Sequence, residues 1–431
     1  MNRWENQSTV AIALDFGKSY PPRKMGETAI AEGRTYLQFD ETFVAEGINP
    51  SPIRLKLDNS LQEGISTLDG LPGLLHDSLP DGWSRLVLDR AIRQAGFDPT
   101  SLNILDRLAL IGNTGIGALT FSGRNLSHFA PPALDFDTVA ALVSTAPQED
   151  DAERIRLALG LTGSLGGARP KANIWRNKDG FSTVESADSS LWLVKFSASS
   201  DGPDAGAVEF AYSLMAKAAG IDIPPTTLLP SSQTAGYFAV ERFDRDNDGG
   251  RLHMHSLGGL LNASMANTAL GYIELMKVTG SLTKDSGRDV ASIEQQIARM
   301  AFNVFARNRD DHVKNHAFLM DPKGIWRPAP AFDLTYSNLQ EHSLLVGTAG
   351  REPVSSDMLE VARAVNIPDE RTNALIKQVR DVVGEWKTFA KEANVSAELV
   401  RDIDASINPS RKGTNDLAAF IAFQQGRGRQ S

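Results

Sequence analysis

The sequence predicts an α+β protein made of an N-terminal subdomain, a small β-rich lobe and a helical lobe. Residues 8–57 read as short apolar stretches separated by turn residues, which is typical of strands. Residues 151–243 show further strand patterns around one helical pattern, and from about residue 256 apolar residues recur at helical spacing. The three parts are expected to span residues 1–146, 147–243 and 244–431.

The composition is that of an ordinary globular protein and excludes several kinds of chemistry. Of the 431 residues, 41% are apolar and 23% are charged, and the formal net charge is −9. The lack of cysteine excludes disulfides, thiolate-bound metals and a cysteine nucleophile. The acidic balance argues against a protein that coats nucleic acid, although it allows a local basic patch. No apolar run approaches the roughly 18 residues of a membrane span, so we expect a cytoplasmic protein without membrane contact.

The N-terminal subdomain is predicted to contain a β-hairpin and, after it, a helix. Within residues 28–39 the polar break at Glu32 and Gly33 separates two apolar stretches, as in a hairpin. After Asp81, apolar residues at three- and four-residue spacing predict a helix, and Asp81 is the candidate N-cap. The polar run 147–151 marks the expected end of the subdomain.

Two features of the second part suit a ligand that carries phosphate. Residues 163–171 are rich in glycine, and the backbone N–H groups of such a loop can approach phosphates closely. The order of residues is not that of a Walker P-loop, and a plain turn is the alternative. Lys195 lies inside the apolar run WLVKF, where a lysine must pair or extend its amine to solvent. Glu209 on the following predicted helix is its candidate partner, and an edge-strand lysine is the alternative.

The strongest candidate for chemistry is a polar run near residue 310 together with an aspartate one predicted hairpin later. Asp310 and Asn315 have the D-x-x-x-x-N spacing of a kinase catalytic loop, and Asp333 follows the hairpin. Phosphoryl transfer needs a carboxylate that orients the attacking hydroxyl, and an amide and a second carboxylate that hold Mg²⁺. The alternative is that Asp310 and Asp311 cap a helix and that Lys314 is solvated.

A predicted strand over residues 237–243 ends where the small sheet meets the helical region. In a two-lobed kinase, this junction is the hinge whose backbone groups bind adenine. A strand end with solvated charges is the alternative. The glycine-containing run 112–117 resembles a dinucleotide loop, but it opens no convincing helix, and we interpret it as a turn.

The histidines also suggest a metal site at first sight. His253 and His255 alternate along a short predicted strand, and His312 and His316 are four residues apart. The Glu-x-x-His context of zinc-dependent hydrolases is missing, so we interpret the first pair as part of a polar face.

Taken in order, these segments resemble the HipA family, bacterial serine/threonine protein kinases that act as toxins of toxin–antitoxin modules. The resemblance covers nearly the whole chain and rests on the motifs LLHDSLPDGWSRLVLDR, LDRLALIGNTGIGALTF, GSLGGARPKA, WLVKF, VEFAYSLMAKAAGIDIPP, FAVERFDR, NRDDHVKNHAF and PAFDLTYS. It implies a bilobal protein-kinase-like fold. Two departures are Arg169-Pro170 in the Gly-rich loop, which puts its phosphate contacts in doubt, and Asp311, where a glycine is commoner.

The resemblance also implies roles for individual residues. It makes Asp310 the catalytic base, and Asn315 and Asp333 the ligands of Mg²⁺. The other implied residues are the ATP lysine Lys195, the hinge residues Glu241 and Phe243, the loop glycines Gly166 and Gly167, and Ser164, at the serine that family members autophosphorylate. That autophosphorylation is held to eject the loop and switch the kinase off.

The implied function is an ATP- and Mg²⁺-dependent serine/threonine protein kinase toxin that phosphorylates a cellular protein, for instance an aminoacyl-tRNA synthetase. The implied partners are a HipB-like helix-turn-helix antitoxin and, only through that antitoxin, operator DNA. A small-molecule kinase on the same scaffold and a mainly antitoxin-binding module are the alternatives. A metal-dependent hydrolase that uses Asp310, Asp311 and His312 is a more distant one.

Overall fold

Three antiparallel sheets, each in a different part of the chain, organise the computed structural model. The structure describes residues 3–123, 132–163, 165–186, 188–198, 201–246, 249–266 and 269–408. Ser164 and the chain beyond residue 408, the last part of the predicted helical lobe, lie outside the described residues.

The first sheet belongs to the N-terminal part and has the strand order β4-β3-β2-β1-β5. Its strands are β1 (Thr9–Leu14), β2 (Arg23–Ala31), β3 (Arg34–Phe39), β4 (Gln62–Glu63) and β5 (Leu119–Phe121). The helices beside it are α1 (Glu41–Ala45), α2 (Gly73–His76), α3 (Gly82–Gln94) and α4 (Ile104–Ile111). The predicted hairpin is confirmed: β2 and β3 pair around Glu32 and Gly33, whose φ angles of 51° and 74° are those of a two-residue hairpin turn.

The helix predicted after Asp81 is confirmed as α3, but the capping role of Asp81 is wrong. Asp81 occupies the N-cap position and its side chain makes no capping hydrogen bond. Its carboxylate instead accepts from the backbone N–H of Gly167 and from Nζ of Lys314. The carboxylate binds the charged amine of Lys314 rather than the N–H groups of its own helix because charge-assisted hydrogen bonds are stronger than neutral ones.

The second sheet forms the small lobe, with the order β7-β6-β8-β10-β9. Its strands are β6 (Lys171–Asn177), β7 (Gly180–Ser182), β8 (Ser190–Lys195), β9 (Thr226–Leu229) and β10 (Tyr237–Glu241). The helices of this region are α5 (Phe136–Thr145), α6 (Ala152–Thr162) and α7 (Ala205–Ala218). One apolar cluster joins this sheet to α3, α5 and α6 through buried residues such as Val87, Val143, Ala158 and Trp192.

The third sheet is small and lies within the helical lobe. It consists of β11 (His253–Ser256), β12 (Ala317–Met320) and β13 (Trp326–Pro328) in the order β11-β12-β13. The helices are α8 (Leu257–Leu261), α9 (Tyr272–Thr283), α10 (Asp289–Phe305), α11 (Ser355–Arg363), α12 (Asp369–Val383), α13 (Trp386–Glu392) and α14 (Ala397–Ile407). The expected hairpin is confirmed as β12 and β13, and α10 buries the predicted apolar stripe, including Ile297 and Met300.

The main apolar cluster joins the N-terminal sheet to the helical lobe. Leu14, Phe39 and Leu75 from the N-terminal part share this cluster with Phe302 and Trp386 from the helical lobe. Helix α7 also packs into it rather than into the cluster of the small sheet. The N-terminal part therefore shares a hydrophobic core with the helical lobe and is not a separately packed domain.

Candidate active site

Lys195 lies between two carboxylates at the junction of the lobes. Its Nζ donates to Oε1 of Glu209 on α7 and to Oδ1 of Asp333, which follows β13. The side chain of Lys195 is 11% exposed and that of Glu209 is 4% exposed. The predicted pairing of these two residues is confirmed. The edge-strand alternative is wrong because Lys195 lies on β8, the central strand of its sheet.

The three charges have different protonation preferences. Burial opposes the charge of Lys195, but Asp333 and Glu209 raise its pKa above the usual range. The charge of Lys195 holds the pKa of Asp333 well below its usual range. Burial raises the pKa of Glu209, even though Lys195 opposes that effect. Asp333 is therefore the carboxylate that stays firmly ionised, as a cation ligand must.

A second lysine lies beside the first, although the sequence indicated it only as the end of the glycine-rich run. Lys171 is opposite Lys195 in the register of β6 and β8, and its Nζ donates to the carbonyl of Gly166. Burial and the charge of Lys195 lower the pKa of Lys171 to about 8. Two amines thus lie beneath the Gly-rich loop, an arrangement that suits several phosphate oxygens. The strand register that reveals this pair is a long-range property, which residue spacing does not contain.

The residues around Asp310 form an irregular loop between α10 and β12. Nδ2 of Asn315 donates to the carbonyl oxygen of Asp310 at 2.8 Å, and Nε2 of His312 lies 3.9 Å from Oδ1 of Asp310. Burial raises the pKa of Asp310, and the charge of Asp333 acts in the same direction. Residues 308–316 lie outside any helix, so the helix-capping alternative is wrong. The carboxylate is 54% exposed and has an increased proton affinity, as a general base requires.

The Gly-rich loop is held from the N-terminal part. Asp81 accepts from the N–H of Gly167 and from Nζ of Lys314, the latter at 2.9 Å. The N–H of Trp83 also donates to the carbonyl of Gly167 at 3.1 Å. The alternative in which Lys314 is solvated is therefore wrong, because Lys314 pairs with Asp81. One carboxylate connects the Gly-rich loop that contains Gly166 to the loop that contains Asp310.

The predicted hinge follows β10, which ends at Glu241. The ring of Phe243 packs on that of Phe332, the residue before Asp333, with centroids 5.5 Å apart. These two rings and Met254 pack on the small apolar cluster of the third sheet. An apolar floor thus extends from the hinge towards Asp333, which suits a flat ring such as adenine.

The glycine-containing run 112–117 binds the segment directly after the hinge. The N–H of Gly117 donates to Oδ2 of Asp244 at 2.8 Å, and Arg245 donates to the carbonyls of Gly117 and Gly115. Burial opposes a charge on Asp244, but Arg242 and Arg245 hold its pKa well below the usual range. This run follows the C-terminus of α4 and is a turn, as predicted. No spacing or periodicity in the sequence indicates its contact with this segment.

His253 and His255 are buried, so the expectation of a polar face is wrong. Nε2 of His253 lies 2.9 Å from the carbonyl of Pro50. His255 lies between Ser51, at 2.9 Å from Nε2, and Asp77, at 2.7 Å from Nδ1. These contacts attach β11 to the N-terminal part. Both histidines are polar because their strand packs against the N-terminal part and supplies side chains to that interface. The sequence alone does not show which segments form this interface.

The described side chains fit a nucleotide and a divalent cation. Lys195 and Lys171 would hold phosphate oxygens beneath the N–H groups of the loop glycines. Asn315 and Asp333 would hold Mg²⁺, which typically takes one or two protein carboxylates and completes its shell with phosphates and water. Among the residues that the structure describes, no group of three or more histidine, aspartate or glutamate side chains is placed to hold a metal ion.

A small antiparallel sheet above a helical lobe, with a lysine–glutamate pair between them, defines a bilobal protein-kinase-like fold, as predicted. Two family matches divide the chain. The HipA N-terminal domain matches residues 20–122, and the HipA-like C-terminal domain matches residues 163–386, more than half of the chain. The chain belongs to the HipA family.

Two relatives from Shewanella oneidensis are similar to this chain. The serine/threonine-protein kinase toxin HipA is 26% identical over 195 residues, which are 41% of this chain and 44% of that protein. The match therefore spans less than half the length of this curated relative. The solved complex of HipA, HipB and operator DNA of strain MR-1 covers 92% of this chain and 95% of its own chain, with 18% identity and a TM-score of 0.68. This likeness shows the fold. Within the described residues, no helix combines the length and apolar character needed to cross a bilayer.

Proposed function

We propose that the chain is an ATP- and Mg²⁺-dependent serine/threonine protein kinase that acts as the toxin of a toxin–antitoxin module. The observation that carries this proposal is the buried contact of Lys195 with both Glu209 and Asp333. Kinases require a lysine–glutamate pair and a metal-holding aspartate in place at the same time. In this chain one amine bridges the sheet, α7 and the segment after β13.

In the proposed reaction, Asp310 accepts a hydrogen bond from the substrate's serine or threonine hydroxyl and takes up its proton as the oxygen attacks the γ-phosphorus of ATP, whose bond to the bridging oxygen breaks and releases ADP. Asn315 fixes the backbone of Asp310 through its bond to the carbonyl oxygen. The bound nucleotide supplies the phosphoryl group, and its Mg²⁺ supplies positive charge. Lys195 and Lys171 offset negative charge on the phosphates, and Asp333, held ionised by Lys195, ligates the cation with Asn315. Such catalysis is mainly positioning and electrostatics.

The remaining parts of the proposal concern binding and regulation. The backbone at Glu241 and Phe243 binds adenine, and the N–H groups of Gly166 and Gly167 bind phosphate, for which the N–H of Gly167 must first leave the carboxylate of Asp81. Ser164, which lies outside the described residues, is the proposed site of autophosphorylation. The proposed division of the chain is 1–146, 147–243 and 244–431.

The proposed partner is a HipB-like helix-turn-helix antitoxin in the cytoplasm. The solved HipA relative is in complex with HipB and operator DNA, which supports this partner. The net charge of −9 supports contact with DNA only through the antitoxin. The proposed target is a cellular protein, with an aminoacyl-tRNA synthetase as the first candidate.

Replacement of the proposed base tests the reaction. The full chain is incubated with Mg²⁺ and [γ-³²P]ATP, and phosphate incorporation into the chain is followed by autoradiography and intact-mass analysis. We expect Asp310→Asn to abolish incorporation without lowering the melting temperature. Asp402→Asn, a change at an exposed position of α14, is the matched control and should leave the rate unchanged. Full incorporation by Asp310→Asn would contradict the assignment.

A cellular experiment identifies the target. Phosphoproteomics after a short induction compares the wild type with Asp310→Asn, and we expect protein phosphosites that depend on Asp310. Transfer of phosphate to metabolites but to no protein would instead indicate a small-molecule kinase. Binding of an antitoxin without any transfer would indicate a regulatory module.

A further inference from the structure

The two residues that flank Asp310 both bind the segment 337–352, which follows Asp333. The side chain of Arg309 is 6% exposed and that of Asp311 is fully buried. Asp310 between them is 54% exposed. The chain thus alternates: the outer two side chains turn to the segment, and the middle one remains open to solvent.

The guanidinium group of Arg309 is occupied by acceptors of this segment. Nη1 donates to the carbonyls of Leu339 and Gln340 at 2.9 and 2.8 Å. Nη2 donates to the carbonyl of Arg351 at 2.9 Å and to Oε1 of Glu352 at 2.7 Å. One arginine therefore binds residues near both ends of segment 337–352.

Asp311 binds the middle of the same segment. Its Oδ2 lies 2.9 Å from Nδ1 of His342, and its Oδ1 accepts from the N–H of Ser343 at 2.8 Å. The hydroxyl of Tyr272 on α9 donates to Oδ2 at 2.7 Å. Ser343 returns a hydrogen bond from its own hydroxyl to the carbonyl of Arg309 at 3.1 Å. The catalytic loop and the segment are thus joined in both directions.

In many kinases, the segment after the metal-binding aspartate is ordered by a phosphate that pairs with arginine. Here the carboxylate of Glu352 and three main-chain carbonyls take up both terminal nitrogens of Arg309. Arg307 also donates to Glu352 at 2.9 Å, so two arginines share that carboxylate. The place that a phosphate would occupy on Arg309 is filled by the chain itself.

We propose that Arg309 and Asp311 are positioning residues that lock segment 337–352 to the catalytic loop, so that phosphotransfer requires no phosphate on this segment. The inference deepens the proposed function and rests on it. Asp310 is covalently linked to both positioning residues, so their contacts fix the backbone position from which its carboxylate extends. A misplacement of about 1 Å at a reacting group costs on the order of 10²-fold in rate.

The test uses the full chain after phosphatase treatment, with two conservative variants. Arg309→Lys keeps the charge but loses the planar fork that reaches four acceptors. Asp311→Asn keeps the shape but places an amide against donors. Glu341→Gln is the matched control because Glu341 lies on the same segment and pairs only with the exposed Arg351 among the described contacts.

Two measurements are made on each protein. The initial rate of ³²P incorporation from [γ-³²P]ATP gives the maximal rate and the half-saturating ATP concentration. Hydrogen exchange followed by mass spectrometry reports the protection of peptides that cover 337–352. Melting temperatures accompany both measurements, and the second variant keeps the test intact if one variant fails to fold.

We expect the treated wild type and the Glu341→Gln control to transfer phosphate at least as fast as the untreated protein, because loss of an inhibitory phosphate at Ser164 can only raise the rate, with 337–352 protected. Arg309→Lys and Asp311→Asn should lower the maximal rate on the order of 10²-fold and change the half-saturating ATP concentration little. In both variants, backbone amides should exchange faster only in segment 337–352. Loss of both activity and protection on phosphatase treatment would overturn the inference, as would variants that behave like the wild type.

A failure of the proposed function has a different signature. In that case the wild type incorporates no phosphate in either state, and hydrogen exchange alone decides the inference. Faster exchange of 337–352 in both variants still supports the lock, and unchanged exchange overturns it.

Discussion

Replacement of Lys195 by methionine removes the charge that compensates two neighbouring carboxylates. Methionine has a similar length and adapts to irregular packing, so the change acts mainly on charge. Glu209 is 4% exposed, so the variant leaves this carboxylate buried without its cation. Removing one partner of a buried pair typically costs about 3–5 kcal/mol. We expect the free energy of unfolding to fall by about that amount at neutral pH, together with loss of phosphotransfer.

This cost depends on pH because Glu209 can take up a proton instead. Burial already raises the pKa of Glu209 above its ordinary value of 4.5, and loss of Lys195 raises it further. A carboxyl group with a higher pKa in the folded state binds more protons when folded. Its contribution to stability is therefore complete below the unfolded pKa and is lost as the pH rises through the folded pKa. The difference in the free energy of unfolding between Lys195→Met and the wild type should therefore become smaller as the pH approaches 4.5.

Urea unfolding, followed by tryptophan fluorescence at neutral pH and near pH 5, measures this effect. The decisive comparison is the double variant Lys195→Met with Glu209→Gln, which removes both charges of the pair. We expect the double variant to recover most of the lost stability but none of the phosphotransfer. Equal midpoints for the single variant and the wild type at neutral pH would refute the reasoning. A double variant as unstable as the single one would refute it as well.

Three further predictions concern contacts outside this pair. Asp81→Asn loses charge-assisted hydrogen bonds of about 1.5–3 kcal/mol, so amide exchange in the Gly-rich loop should accelerate at least several-fold; unchanged exchange would contradict this. Gly117→Ala should lower the melting temperature because Gly117 has a φ of +78° and the new Cβ would lie 2.9 Å from the backbone N of Met254. Gly33→Ala is the control, because Gly33 has a similar φ of +74° but no atom within 4 Å of the new Cβ. Burial lowers the pKa of His253 to about 3, so the free energy of unfolding should fall as the pH drops below 6.5, by up to about 1.4 kcal/mol per pH unit. In urea unfolding at a series of pH values, His253→Gln should show a weaker dependence of this free energy on pH. The same dependence in variant and wild type would count against the prediction.

The sequence allowed the central part of the candidate site to be predicted because local patterns carry it. A lysine between apolar residues on a strand must either pair or extend its amine to solvent, so the sequence predicted for Lys195 either a pair with Glu209 or an edge-strand position. The spacing of Asp310 and Asn315 is also local, and the loop between α10 and β12 brings them together. The hairpins and amphipathic helices follow from periodicity in the same way.

Contacts between distant segments could not be read from the sequence. Asp81 has all the marks of a helix cap, yet its carboxylate binds a lysine 233 residues away. His255 alternates as on a polar face but is buried against Ser51 and Asp77. Lys171 gains its position from the register of β6 against β8. In each case the residue that determines the contact lies far away in the sequence. Residue spacing and secondary-structure propensity contain no information about such long-range contacts.

The division of apolar residues between the two main clusters has a mechanical consequence. One apolar cluster combines the N-terminal sheet, α7 and the helical lobe, and the other combines α3, α5 and α6 with the small sheet, so the two clusters define two packed units. The chain passes from one unit to the other near residues 76–83 and again after Glu241, among other places. The two units cannot move apart by bending at a single point, because all the connecting segments must deform together. If the proposed kinase opens for nucleotide exchange, the motion is therefore expected to be concerted and to involve the connection at Asp81 as much as the proposed hinge.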